Sequence, residues 1–396
     1  MKKSLLALAV FGAFAGAAQA QSSVTIYGIV DEGLTYTIRA QTTGTNTGSQ
    51  FAVNSGVIQG SRLGFKGTED LGGGLNAIFA LEAGFSADNG SLGTSGTGGT
   101  STLFRRKSYV GLGGGFGNVT VGRQTDFADT ISAFTSVNDF GGVTGTVGHN
   151  LDRLEGTRTN NSVAYTTNNL NGFTGNLIYG FGETAGSTSD GQAFGLAGQY
   201  VNGPLGLGLN YYQSKAGTGV GTTADTGLLS SSTLAYTTYT AGQTAAKVLN
   251  AVASYQFGPA RVYANYSLVK QPQNTAANLA IIGVTSTTTA TSSALSLANA
   301  EKAQVFEIGT AYSLSAALKL LASVDYTKAN FDGISNTGKL TELNLGTDYS
   351  LSQRTDLYAF VSDLNAKNIN NPGIMNNGTG QDGSQIAVTV GVRHKF

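Results

Sequence analysis

The sequence QIAVTVGVRHKF, at 385–396, shows the pattern on which the architecture of the whole chain depends. Apolar and polar or small residues alternate along it with a period of two, which is the period of a β-strand. One face is apolar and ends on an aromatic ring, and its members are Ile386, Val388, Val390, Val392, His394 and Phe396. Such a face packs either on a protein core or against lipid, and the remaining sequence distinguishes the two.

The same alternation recurs along the chain, for example at 75–86, 173–181 and 318–326, and no segment keeps a helical period. The connections alternate in length, with short turns near 69–74, 113–116, 168–171, 201–204, 257–260, 313–317 and 350–354. Longer polar loops lie near 39–50, 87–102, 125–157, 184–190, 215–246, 272–301, 329–338 and 365–384. Seven turns and eight loops separate sixteen strands, most of them long enough to cross an apolar band of about 25 Å. We therefore predict an all-β protein, a 16-stranded antiparallel transmembrane β-barrel.

The first twenty residues, MKKSLLALAVFGAFAGAAQA, have the charged start, apolar run and small-residue end of an export signal. We expect residues 1–20 to be a signal peptide and 21–396 to form the barrel. Without Lys2 and Lys3 the chain has 21 basic and 23 acidic residues, a net charge of about −2, which excludes a nucleic-acid-binding surface. The absence of cysteine excludes disulfides and thiol chemistry, and 57 glycines with only four prolines suit strands joined by turns.

Five segments give the chain a resemblance to the 16-stranded trimeric porins of Gram-negative outer membranes. They are SSVTIYGIVDEGL (22–34), SRLGFKGTEDLGGGLNAIFALEAGF (61–85), RKSYVGLGGGFGNVTVGRQ (106–124), NSVAYTT (161–167) and the terminal VGVRHKF. The resemblance implies a homotrimer in the bacterial outer membrane that lets small hydrophilic solutes and ions diffuse passively. Its expected partners are outer-membrane lipid, lipopolysaccharide and the assembly machinery, which would recognise the terminal aromatic Phe396. No cofactor is implied.

In these porins the loop after the fifth strand folds inward and narrows the lumen. The corresponding loop here is roughly 125–157, and it carries Asp126, Asp129 and Asp139 as candidate constriction acids. Acidic residues on a loop are more commonly just solvated, so the resemblance is what favours the constriction role. The Pro-Glu-Phe-like motif that such loops usually contain is absent.

Basic residues on the barrel wall should face this loop. On the second strand Leu63 and Phe65 must face lipid, which directs Arg62 and Lys66 inward by parity. On the fourth strand the parity is ambiguous, because Arg105, Lys107 and Tyr109 or Arg106, Ser108 and Val110 could face the lumen. The resemblance favours Arg106, and it places Arg158 at the start of the sixth strand.

Three arginines across a narrow aqueous gap would create a transverse field and bias passage toward anions. The alternative is that Arg106 and Arg158 form only structural ion pairs with the loop acids.

Other functions have weaker support. A solute-specific channel has the same architecture, and a surface adhesin or receptor would use the long loops. An enzyme is not expected, since the only histidines are His149 and His394 and the glycine run GLGGGFG joins two strands rather than opening a helix. Metal ligands at useful spacing are absent.

Overall fold

The computed structural model describes residues 23–42, 46–93, 102–144, 152–154, 158–189, 191–215, 244–270, 300–331, 334–374 and 383–396. The predicted signal peptide, His149 and parts of several predicted long loops lie outside these ranges. The strands are β1 (Ser23–Gln41), β2 (Thr47–Ser55), β3 (Arg62–Gly72), β4 (Leu75–Gly84), β5 (Lys107–Gly114), β6 (Gly117–Thr125), β7 (Arg158–Thr166), β8 (Phe173–Gly180), β9 (Ala193–Asn202), β10 (Leu205–Lys215), β11 (Thr244–Phe257), β12 (Ala260–Lys270), β13 (Lys302–Ser313), β14 (Leu318–Phe331), β15 (Ile334–Ser350), β16 (Thr355–Lys367) and β17 (Gly383–Lys395). The helices are α1 (Ala128–Ile131), a 3₁₀ turn (Ser132–Phe134) and α2 (Ser136–Thr144).

The strands form one closed antiparallel sheet. From β3 to β17 each strand pairs with the next in the chain, and β1 pairs with β17 over ten consecutive residues, Ile29–Ile38 against Lys395–Ile386. Both β2 and β3 pair with β1, one above the other, so these two segments share a single position in the wall. The strands of the described ranges therefore make a 16-stranded barrel, which confirms the predicted fold class. Closure pairs the first strand with the last, so the backbone groups along this seam are satisfied within the membrane.

Inward and outward side chains alternate as the period-two pattern predicts. On β16, Leu357 and Val361 are exposed on the outer surface, whereas Tyr358 and Phe360 between them are buried inside. Leu, Val, Ile, Phe and Tyr dominate the exposed large side chains all around the barrel. This outer surface suits a lipid solvent, in which exposure of an apolar side chain carries no hydrophobic penalty. Within the described ranges, no helix is long and apolar enough to cross a membrane.

The connections are short at one rim, as predicted, with two to six residues in each of seven turns that the structure describes. At the turn between β3 and β4, Gly72, Gly73 and Gly74 all have positive φ, a conformation that favours glycine. The lengths predicted for two of the long loops are wrong, because both loops are shorter than expected. The first loop is only 42–46, and β14 and β15 are joined by 332–333, where 39–50 and 329–338 were expected. Polar residues at these ends continue the hydrogen-bonded ladder instead of leaving it.

The third loop joins β6 to β7 and folds into the barrel. Its described part contains α1, the 3₁₀ turn and α2, and Gly141 breaks α2 with φ 77°. Ile131 and Phe140 are fully buried against the inner wall, Ile131 near β10 and β11 and Phe140 near β16. Burial of two such side chains contributes roughly 3–6 kcal/mol to holding the loop inside.

Candidate functional site

The structure places Arg62 and Lys66 on the lumen face of β3, since Leu63 and Phe65 point outward. The Arg62 Nε donates to the carbonyl oxygen of Gly60 at 2.8 Å. Lys66 lies about 13 Å further along the strand, toward the short-turn rim, with its Nζ 5.3 Å from the centre of the Tyr27 ring. Of these two basic residues, Arg62 belongs to the cluster described next, and Lys66 lies outside it, nearer the short-turn rim.

Arg106 precedes β5 and lies on the lumen side, where it pairs with Glu82 of β4. Its Nε lies 2.6 Å from Glu82 Oε1, and the other oxygen of Glu82 accepts a hydrogen bond from the Tyr27 hydroxyl at 2.8 Å. Lys107 pairs with Glu82 across the strands, so both basic residues lie at the same carboxylate. Of the two sets proposed for the fourth strand, Arg106, Ser108 and Val110 does not hold as a unit, because Val110 is exposed on the outer surface. In the other set, Lys107 lies opposite Glu82 on the lumen face, whereas Arg105 precedes the strand, which begins at Lys107.

Arg158 opens β7, next to the end of β6 at Thr125. The neighbouring Arg123 ties this strand to the loop before β5: its Nε donates to the carbonyl oxygen of Arg105 at 2.5 Å, and Nη1 contacts Asn160 and the carbonyl oxygen of Arg158. Burial and the adjacent charge of Arg106 lower the pKa of Arg105. The backbone on both sides of the basic cluster is thus fixed by one guanidinium group.

Arg62, Arg106, Lys107 and Arg158 are called the basic wall below. Arg62, Arg106 and Arg158 lie close enough for their charges to act on one another. The carboxylates of Glu82 and Asp129 lie close enough to attract these arginines electrostatically. Within the described residues, Arg106 forms a salt bridge whereas Arg62 and Arg158 form none, so positive charge is in excess at this place.

The three acids singled out on the third loop are in different environments. Asp129 is exposed and acts electrostatically on Arg62 and Arg158. Asp126 is buried and lies 3.3 Å from the Nε of the fully buried Arg153. Asp139 pairs with Arg261 on β12 at 2.6 Å. The structure therefore brings one of the three acids to the basic wall and places two at contacts that fasten the loop.

A second charged region lies on another part of the inner surface. Glu307, Asp325 and Glu342 occupy directly paired positions on β13, β14 and β15, and they are 6%, 2% and 2% exposed. This acidic row, as we call it, lies behind the third loop, and Glu307 Oε1 accepts the backbone N–H of Ser136 at 2.7 Å. No salt bridge joins the row to a basic side chain among the described residues.

Asp152, from the third loop, faces the acidic row. Burial raises its pKa to about 6, partly offset by hydrogen bonds from the Leu154 N–H at 3.2 Å and the Ser267 hydroxyl at 3.4 Å. Within the described ranges, no group of three or more His, Asp or Glu side chains is arranged to hold a metal ion. The row and Asp152 are four carboxylates crowded into one buried region.

Sequence reasoning missed Glu82, Arg123 and the acidic row. Glu82 could have been found, because the tight turn at 72–74 fixes the register that places it opposite Gly64 on the lumen face. The row could not, since the pairing of Glu307, Asp325 and Glu342 depends on two hairpin registers at once.

Phe396 lies on the outer surface at the short-turn rim, as expected. Its backbone pairs with Gly28 through two hydrogen bonds of 3.1 Å, and its ring covers Gly28, where a Cβ atom would come within 2.3 Å of Cζ. The ring therefore seals the seam between β1 and β17, which leaves its predicted role in assembly open to experiment.

A closed barrel with an apolar outer face, a charged lumen and a loop folded inside defines the class of transmembrane β-barrel channels. Comparison with known proteins then gives the family. A model of the Gram-negative porin family matches residues 6–369. Outer membrane porin protein 32 of Delftia acidovorans is 33% identical over 414 residues, covering all of both chains.

Two solved structures share the fold. An anion-selective porin from Comamonas acidovorans superposes with a TM-score of 0.68 at 24% identity, covering 95% of this chain and all of that one. The trimer form of in-vitro folded OmpT from Vibrio cholerae has a TM-score of 0.62 at 16% identity, covering 95% and 99%. The chain belongs to the Gram-negative porin family, and it forms an outer-membrane channel for passive diffusion.

Proposed function

We propose that the passage runs between the third loop and the basic wall, and that this constriction favours anions. The observation that carries the proposal is that Arg62 and Arg158 lie in the lumen without a carboxylate partner among the described residues. Four cations then face two carboxylates, so a permeating anion can replace part of its hydration with guanidinium contacts. A cation meets an electrostatic barrier at the same place.

The test is the reversal potential of the purified protein in a planar bilayer under a salt gradient. Wild type should give stepwise, ohmic currents with an anion-directed reversal potential, and Arg62→Glu should move that potential toward cations. Lys319→Glu is the matched control, because it makes the same charge change on an exposed residue at the short-turn rim. An Arg62→Glu channel with wild-type selectivity would remove Arg62 from the constriction, and a silent bilayer would remove the channel itself.

The same recordings separate the alternatives. A solute-specific channel would show current that saturates and is blocked by its solute, and an adhesin barrel would conduct negligibly while binding through its loops. We further propose a homotrimer packed through apolar outer faces, in contact with outer-membrane lipid and lipopolysaccharide. The trimer form of the OmpT structure supports this assembly. The exposed ring of Phe396 at the end of a sealed seam supports recognition by the assembly machinery.

A further inference from the structure

The position in the barrel wall that β2 and β3 share, next to β1, is interrupted at residues 56–61, which fold into the lumen. We call these residues the wall step. Gly56, with φ 76°, turns the chain out of β2, and its N–H bonds the carbonyl oxygen of Asp31 at 2.7 Å. Val57 and Ile58 are then buried inside the barrel rather than facing lipid. An interruption of this kind sacrifices ladder hydrogen bonds, so its backbone needs other partners.

Asp31 supplies those partners. This fully buried carboxylate on β1 accepts the N–H groups of Ile58 at 2.8 Å and Gln59 at 2.7 Å on one oxygen. Its other oxygen accepts the Tyr358 hydroxyl at 2.7 Å. The Asp31 backbone N–H also donates to the Ser61 hydroxyl at 3.1 Å. One side chain therefore fixes both the middle of the wall step and a tyrosine on β16.

Two routes lead from Asp31 to neighbouring residues of the third loop. Through the wall step, the backbone of Val57 and Ile58 lies against Gly141, where a Cβ atom would come within 2.4 Å of three backbone atoms. Through Tyr358, the ring stacks on Phe360 at 5.0 Å, and Phe360 meets Phe140 edge to face at 5.1 Å.

We infer that Asp31 is a positioning residue for the constriction, acting through the wall step and Tyr358 to set where the third loop lies in the lumen. The inference rests on the proposed function, in that it takes the third loop to narrow the passage. Asp31 itself lies behind the contact and touches no permeating solute. The kink of α2 at Gly141, whose φ is 77°, is the point at which loop and step meet, and a side chain there would push the two apart.

The test is single-channel conductance and the size of polymer that the channel excludes. Asp31→Ala removes all three side-chain hydrogen bonds, and we expect conductance to rise roughly twofold with greater open-channel noise, because the loop no longer has a fixed seat. Asp31→Asn should restore near wild-type values, since its oxygen can accept both N–H groups and its amide can donate to Tyr358. Thr35→Val is the matched control: Thr35 lies on the same strand as Asp31, and the change removes its buried hydrogen bond to Thr389 on β17 without touching the step.

Gly141→Ala repeats the test from the loop side and leaves the barrel wall unchanged, so it decides the matter if Asp31→Ala does not assemble. The same rise in conductance is expected, and the double variant Asp31→Ala with Gly141→Ala should show less than the sum of the two effects. Unchanged conductance and polymer exclusion in Gly141→Ala would overturn the inference. That outcome differs from failure of the proposed function, which would appear in wild type as a silent bilayer or as absent anion bias.

Discussion

The basic wall and the acidic row lie on the same inner surface but present their charge differently. Arg62, Arg106 and Arg158 are half-buried and open to the lumen, whereas Glu307 and its two neighbours are buried behind the third loop. On the proposed passage, ions would meet the first region and not the second. The net charge of about −2 is therefore a poor guide to selectivity, which depends on the charge that remains exposed at the narrowest point.

The acidic row, which the third loop covers, helps to hold that loop in place. Glu307 accepts the Ser136 N–H at the start of α2, where the partial positive charge of a helix end favours a carboxylate. Asp139 on the same helix pairs with Arg261. Polar contacts thus hold the covered side of the loop, while the opposite side stays free to face the arginines.

The largest expected effect lies in the covered region, at Asp152. Its pKa is raised to about 6 in the folded protein, so the folded state binds more protons than the unfolded state between about pH 4 and 6. The contribution of Asp152 to the free energy of unfolding should therefore fall as pH rises through this window, by up to about 3 kcal/mol. Asp152→Asn should abolish that step and be more stable than wild type at pH 7.5.

The measurement is the thermal transition of detergent-solubilised protein at several pH values between 4 and 7.5. Asp88→Asn, which changes an exposed loop carboxylate, should retain the wild-type pH dependence. Parallel curves for Asp152→Asn and wild type would show that Asp152 is no more buried than an ordinary loop acid.

The next largest effect concerns Glu82, whose negative charge neutralises part of the positive charge of the basic wall. Glu82→Gln leaves Arg106 without its anionic partner, and we expect a loss of about 2 kcal/mol in stability, less than for a fully buried pair because Arg106 can turn to water. The freed charge should raise the anion-to-cation permeability ratio roughly twofold. Reversal potential and thermal transition are measured together, with Glu69→Gln at the exposed rim as control. Unaltered selectivity in an intact barrel would mean that the charge of Arg106 does not reach the passage.

The barrel, the bounds of the third loop and the position of Arg62 could be predicted from the sequence, whereas the position of Arg106 could not. Period-two alternation and sorted connections were sufficient for the closed 16-stranded barrel, and the expected bounds of the third loop match the end of β6 at Thr125 and the start of β7 at Arg158. Parity placed Arg62 inside because its neighbours Leu63 and Phe65 are unambiguous. It did not settle Arg106, which lies just before the first residue of β5, where alternation has not yet begun.

Contacts that depend on how segments distant in the chain pair with one another could not be predicted from the sequence. The wall step is one, since only the pairing of both β2 and β3 with β1 shows that residues 56–61 leave the wall. Asp126 and Asp139 are another, because nothing local distinguishes an acid that faces the passage from one that meets Arg153 or Arg261. Local pattern thus determines which face a residue occupies, and tertiary pairing determines what covers it.

The smallest expected effect tests whether the acidic row is truly covered. Asp325 lies between Glu307 and Glu342 on adjacent strands, and like charges at directly paired positions destabilise a sheet. Asp325→Asn should therefore stabilise the barrel by about 1 kcal/mol at pH 8. It should leave the reversal potential at its wild-type value, in contrast to Arg62→Gln, because the row is buried behind the third loop. Asp363→Asn on β16 controls for loss of a carboxylate outside the row, and a shift in selectivity with Asp325→Asn would mean that the two regions share one aqueous passage.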